Sequence, residues 1–147
     1  MKVRPRFHLA FPVHDLEAAR GFYSGLLGAG AGREAEGDWI DFDLFGHQLS
    51  AHCAPEECGG AAMAGQVDGE AVPVRHFGVI LAWDDWESLA ARLKEAQADF
   101  IMEPHVRFVG EAGEQGTFFV RDPSGNALEF KTFRDDAHVF ARDMDGS

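Results

Sequence analysis

Only two of the 147 residues are cysteine and one is tyrosine, and 13 basic side chains are set against 25 acidic ones. Each scarcity excludes something. Cys53 and Cys58 lack the Cys-x-x-Cys spacing of a metal knuckle, and a chain of this length needs no disulfide staple, so both are expected to be reduced and structural. A formal net charge of −12, with no stretch that clusters Lys and Arg, repels phosphate backbones and anionic lipid; neither nucleic acid nor a membrane is an expected partner. The longest apolar run, "FGVILAW", falls far short of the about 20 residues that cross a bilayer. The opening "MKVRPRFH" carries basic residues with no apolar segment behind them, and a cytoplasmic location is expected.

What is present describes an ordinary globular chain, 46% hydrophobic and 26% charged. The length predicts a single domain over residues 1–147. Two stretches have helical periodicity. In "HDLEAARGFYSGLLG", Leu16, Ala19, Tyr23, Leu26 and Leu27 recur at three and four residues, Asp15 is the candidate N-cap, and Gly28 stands where a C-terminal glycine belongs. In "DDWESLAARLKEAQAD", Trp86, Leu89, Ala90 and Leu93 repeat the spacing, and Asp84 with Glu87 has the offset of a capping box. The segments "RFHLAFPV", "DWIDFDLF", "HQLSAHC", "VRHFGVIL", "HVRFV", "GTFFVRD" and "NALEFKTF" read as strands between glycine-bearing turns.

The order strand, helix, several strands occurs twice, which points to an internal duplication. Placing His8 on His76 aligns "FHLAFPVHDL" with "HFGVILAWDDW", and placing Asp43 on Asp122 brings Gly46 to Gly125 and Leu49 to Leu128. Within residues 1–147 the first module covers about 5–54 and the second about 74–135. The Gly- and Ala-rich segment of about 55–73 reads as a linker, and 136–147 as a C-terminal tail. A single helix with a few strands cannot cover both faces of its own sheet. The expected fold class is therefore α+β, two such modules pairing into a half-open, curved mixed sheet whose concave face carries the site.

Strand parity selects the residues of that face. His8 alternates with Phe7 and Leu9, His76 with Phe77, and Glu129 with Leu128 and Phe130, so each polar group points opposite to large apolar neighbours. Gly78 shares a face with His76 and marks a place where something approaches closely. A lone strand histidine is more often a hydrogen-bonded structural group than a ligand, and a lone glutamate can serve as an edge-strand charge. Three such groups at matched positions are better explained by a shared cation, and two imidazoles with one carboxylate form the facial set used by non-haem iron(II). His8, His76 and Glu129 are the candidate metal ligands. Iron(II) is favoured, with Mn, Ni or Zn as alternatives.

The turn and strand "GEQGTFFVRDPSGNALEF", with "FHLAFPVHDLEAARGFYSGLLG" and "VRHFGVIL", resembles the vicinal oxygen chelate superfamily, which includes glyoxalase I, type I extradiol dioxygenases and the fosfomycin- and bleomycin-resistance proteins. The resemblance covers roughly residues 5 to 135 and implies paired βαβββ modules with a divalent metal held at the positions of His8, His76 and Glu129. Glyoxalase-like members add a carboxylate from the last strand of the first module, where this chain has Ser50. The remaining set matches extradiol dioxygenases, although the tyrosine these enzymes carry shortly before the glutamate has no counterpart in "GTFFV", and Tyr23 lies on a helix.

Gln48, Ser50 and His52 share a strand face, and His52 is the candidate catalytic proton carrier; the alternative is a strand-end histidine that faces solvent. His14, His47, His105 and His138 fall in turns or at element ends and are read as surface residues; Arg107 is read as an exposed strand arginine, with contact to an anionic substrate as the alternative. The resulting expectation is a metal-dependent enzyme resembling an extradiol dioxygenase, acting on a small substrate whose vicinal oxygens chelate the metal. A glyoxalase-like isomerase or lyase and a metal-free drug-binding protein are the rivals. A homodimer is expected, with the apolar residues of "AHVFARDM" as its arm; the alternative is a tail that folds back on its own domain.

Overall fold

The computed structural model describes residues 4–59, 63–67 and 70–142, and contacts divide the chain into two units. The first comprises the residues up to 61 together with Asp122–Asn126, and the second the remainder. The first unit contains β1 (His8–Val13), α1 (Leu16–Arg20), β2 (Gly30–Ala35), β3 (Trp39–Leu44) and β4 (His47–Cys53). They form an open sheet in the order β1-β4-β3-β2, with β1 parallel to β4 and the other pairs antiparallel. The Asp15 carboxylate caps α1 by accepting the Ala18 N–H at 2.9 Å, as its position predicts. Gly28 ends the helical stretch with φ of 78°, a conformation that a glycine adopts without steric cost. The helix is not uniform: residues Gly21–Leu26 continue α1 as a π-helical segment, closed by the Leu27 N–H on the Phe22 carbonyl.

One face of this sheet is apolar. Tyr23 is enclosed by Phe11, Phe22 and Phe42 at ring-centroid distances of 5.4, 5.0 and 5.3 Å, with Ile40, Leu44 and Leu49 also buried. The alternation in "WIDFDL" accounts for this, since even-numbered residues turn inward and Asp41 and Asp43 turn to the other face. Strand β2 was not legible in the sequence. Its residues Gly30, Ala31 and Gly32 carry no apolar alternation, and pairing with β3, interrupted by a register shift after Ala31, is what holds it extended.

The second unit contains β5 (Met63–Val67), β6 (Glu70–Pro73), β7 (His76–Phe77), β8 (Ile80–Leu81), α2 (Trp83–Glu95), β9 (Phe100–Arg107), β10 (Gln115–Arg121) and β11 (Ala127–Phe133). The segment expected to be a plain linker thus holds an antiparallel pair, β5 with β6. The main sheet runs β7-β11-β10-β9, with β8 also on β11. Helix α2 starts at Trp83 after an Ala82 cap that makes no side-chain bond, so Asp84 and Asp85 do not cap it. They stand instead in its first turn, where a negative charge meets the positive end of the helix dipole. Trp86, Leu89, Ala90 and Leu93 are buried, as the periodicity predicts, and the Trp86 indole N–H donates to the Phe130 carbonyl at 2.9 Å.

The fold is α+β, built on two open mixed sheets and no closed barrel among the described residues. The strand registers of the two units correspond. In the first, His8 pairs with Gln48 and Leu9 with Leu49; in the second, His76 pairs with Ala127 and Phe77 with Leu128. Ser50 and Glu129 then fall at the same place, one residue beyond the matched leucines. The turns correspond as well: Gly46 and Gly125 have φ of 89° and 87°, and each preceding aspartate accepts a backbone N–H of its own turn. No helix among the described residues is long and apolar enough to cross a membrane.

Candidate metal site

Leu128 and Phe130 are fully buried against α2, and strand parity therefore sends Glu129 out of the opposite face of β11. His76 reaches the same face from β7. Its Nε2 lies 3.3 Å from Glu129 Oε1, and its ring meets Phe119 edge-on at 5.0 Å. Phe119 is the register partner of Glu129 on β10, so the pair rests on a buried aromatic floor.

The outer atoms of both groups are tied. His76 Nδ1 lies 2.7 Å from the Pro73 carbonyl, which can only accept, so Nδ1 carries the hydrogen and Nε2 keeps its lone pair in the neutral ring. The Thr117 hydroxyl donates to Glu129 Oε2 at 2.6 Å, which leaves Oε1 toward the histidine. An imidazole lone pair and a carboxylate oxygen face to face repel each other unless a proton or a cation joins them. A carbonyl behind the distal ring nitrogen and a hydroxyl behind the carboxylate are the outer contacts typical of metal ligands, and the donor set fits a divalent ion. The two side chains line a recess of about 220 Å³ with Phe77, Gly78 and Lys131. The close approach expected at Gly78 is that of Glu129's own backbone: a Cβ on Gly78 would stand 1.6 Å from the Glu129 carbonyl oxygen.

In the first unit, His8 is exposed at the start of β1. Ser50, at the place corresponding to Glu129, is 7% exposed, and its hydroxyl donates to Asp41 Oδ1 at 2.6 Å. Asp41 Oδ2 also accepts from the Gln48 amide at 3.4 Å. The first module therefore does carry a carboxylate beside the Ser50 position, supplied from the neighbouring strand. The only signal in the sequence is its alternation with Ile40 and Phe42. His52 lies within β4, register partner of Pro12 and Trp39, and its side chain is exposed. Among the described residues, no group of three or more His, Cys, Asp or Glu side chains gathers closely enough to hold a metal ion. The structure brings His76 and Glu129 together. His8 holds the corresponding place in its own sheet.

The other singled-out residues have local tasks. His14 Nδ1 meets the Ser124 hydroxyl at 2.7 Å, and His105 Nδ1 lies 3.2 Å from the Glu103 carbonyl. The Arg107 guanidinium lies 4.7 Å from the Phe108 ring centroid. Tyr23, fully buried, donates its hydroxyl to Asp122 Oδ2 at 2.8 Å, while Asp122 Oδ1 takes the N–H groups of Ser124 and Asn126. Burial, and then the Asp122 charge, push the Tyr23 phenol well above its ordinary range, so it remains a neutral donor. Cys53 and Cys58 are free thiols; burial and then Asp122 push the Cys58 thiol up, away from the reactive thiolate.

A family model for the glyoxalase/bleomycin resistance protein/dioxygenase superfamily matches residues 7–130. The crystal structure of a glyoxalase/bleomycin resistance protein/dioxygenase from Alicyclobacillus acidocaldarius is 33% identical over 92% of this chain and 96% of that one, with a TM-score of 0.75. A glyoxalase/dioxygenase from Nostoc punctiforme is 18% identical over 90% of this chain and 92% of that one, with a TM-score of 0.67. A genomically encoded fosfomycin resistance protein from Listeria monocytogenes is 12% identical over 94% of this chain and 100% of that one, with a TM-score of 0.63. The last two show likeness of fold alone. No curated protein matches the chain.

Proposed function

We propose that this chain, which belongs to the glyoxalase/bleomycin resistance protein/dioxygenase superfamily, is a divalent-metal-dependent enzyme resembling an extradiol dioxygenase. The observation that carries this reading is the opposed pair of His76 Nε2 and Glu129 Oε1, each held from behind by the Pro73 carbonyl and the Thr117 hydroxyl. His8 is the third ligand, by its equivalence in register to His76. With Ser50 bonded to Asp41 rather than replaced by a carboxylate, the set is two imidazoles and one carboxylate, for which iron(II) is the favoured ion. The bound ion would supply Lewis acidity toward two adjacent substrate oxygens and open positions for dioxygen.

The chain's own residues do the rest. Pro73 fixes the His76 tautomer, Thr117 sets the carboxylate plane, and His52, two residues along the strand from Ser50 and on the same face, carries the substrate proton. Protein purified without chelator is expected to hold one divalent ion per chain and to consume oxygen with some member of a panel of catechols and α-oxo thioesters. His52→Ala keeps the metal and lowers turnover by roughly 10²- to 10⁴-fold. Metal well below one per chain under those conditions overturns the reading. So does a His52→Ala variant that loses the metal itself.

The assembly we propose is a homodimer. Phe140, 91% exposed, follows the 3₁₀ turn Asp136–His138 and offers an apolar contact to a second copy. Light scattering is expected to give a mass near twice the 16.1 kDa of the chain, and the single-chain mass across micromolar concentrations rules the dimer out.

A further inference from the structure

The first unit holds a larger cavity than the recess beside Glu129, about 390 Å³, lined by Arg6, Arg33, Asp41, Asp43, His47 and Gln48. It opens at the end of the sheet nearest the β3–β4 turn. Gln48 is the register partner of His8 on one side and of Asp43 on the other, so the cavity and His8 adjoin along one row of the sheet.

The charges of its wall are unequally committed. Asp41 accepts from Ser50 and Gln48, and Asp43 Oδ1 accepts the Gly46 N–H at 2.7 Å. Neither arginine forms an ion pair among the described residues, although two carboxylates line the same space and the chain carries a net −12. The Arg33 guanidinium is placed over the Trp39 ring at 5.9 Å. His47 Nδ1 accepts the Phe7 N–H at 3.1 Å, which puts the proton of the neutral ring on Nε2 and makes it a further donor. Two unpaired guanidinium groups and a fixed imidazole donor suit a small anion, and the planar fork of arginine suits a carboxylate.

The chain beside two of the lining residues, Arg6 and Gly46, is aromatic and, at Phe45, strained. Phe7 and Phe45, the neighbours in sequence of Arg6 and Gly46, are 63% and 44% exposed. Phe45 and Gly46 form the two-residue turn between β3 and β4, with φ of 52° and 89°. Both positive values are those of a type I′ turn, where Asn or Asp is the favoured first residue. A phenylalanine there is held in a conformation that costs energy while 44% of its surface stays exposed. Strain of this kind next to a cavity-lining residue points to a task outside the fold.

We propose that this cavity binds a small aromatic carboxylate, its anionic group held by Arg6 and Arg33 and its ring by Phe45, the chain neighbour of the lining residue Gly46. The assignment deepens the reading above, since it names the substrate class presented to the row of His8, but the binding itself uses no metal. It is therefore tested on the full chain stripped of metal and dialysed free of chelator, by isothermal titration with benzoate, benzamide, acetate and inorganic phosphate. Benzoate is expected to bind saturably and more weakly as salt rises. Benzamide, of the same shape without the charge, shows no saturable binding, and acetate and phosphate bind more weakly than benzoate. Arg6→Gln and Arg33→Gln each weaken benzoate by about tenfold, as loss of one charged hydrogen bond requires. Phe45→Asn also weakens benzoate while leaving the melting temperature unchanged or higher, because asparagine suits the turn. Equal binding of benzoate and benzamide overturns the proposal, as does phosphate tighter than benzoate, or benzoate binding that survives both arginine substitutions. Because the metal is absent, these outcomes leave the metal-site reading untouched, and failure of that reading in turn leaves benzoate binding intact.

Discussion

Gly78→Ala is expected to destabilise the protein by about 3 kcal/mol or more, beyond the usual range for one added methyl group in a packed core. The cause is the identity of the obstructing atoms. A Cβ at this position would lie 1.6 Å from the carbonyl oxygen of Glu129, 2.6 Å from its carbon and 3.1 Å from its nitrogen, all of them backbone. A flexible side chain could swing away, but the Glu129 peptide is held in β11 between β10 and the parallel β7 and β8, and can only move with its strand. The φ of Gly78 is not in the left-handed region, so the penalty is crowding alone. Denaturant titration is expected to lower the midpoint at constant slope, and a loss below about 1 kcal/mol would mean that the strand yields freely. The displaced strand carries Glu129, so any Gly78→Ala protein that folds should also bind metal poorly.

Glu129→Ala is expected to abolish metal binding and, with it, any metal-dependent turnover. The side chain is the only anionic member of the proposed set, and two neutral imidazoles hold a divalent ion weakly. Stability should change little by comparison, since among the described residues the polar contacts of the Glu129 side chain are one histidine and one hydroxyl at a partly open recess. Thr117→Val makes a graded control. It keeps the carboxylate, removes only the 2.6 Å bond to Oε2, and should weaken metal affinity by about 10- to 100-fold, the range for contacts that orient a ligand. Equilibrium dialysis followed by elemental analysis reads both variants. Metal bound by Glu129→Ala at wild-type affinity would remove the glutamate from the site.

Much of the architecture was legible in the chain because it follows from local periodicity. The 3.6-residue repeat places Trp86, Leu89 and Leu93 on the buried side of α2, and the alternation of Leu128, Glu129 and Phe130 sends the carboxylate to the face opposite the core, whatever the partner strands are. The matched histidines and the matched turns at Gly46 and Gly125 likewise need only the order of residues, and the strand registers agree with them. What pattern could not supply was which atoms meet across the chain. Tyr23 and Asp122 bond across 99 residues, and Thr117 reaches Glu129 from a neighbouring strand. The Asp41 carboxylate beside Ser50 follows from a β3–β4 register that no single strand encodes. The edge strand β2 has no apolar alternation and exists through its pairing alone. Gly78 divides the two kinds of information most clearly: a glycine in a strand announces that something comes close, but only the parallel packing of β7 and β8 on β11 decides that it is the backbone of Glu129.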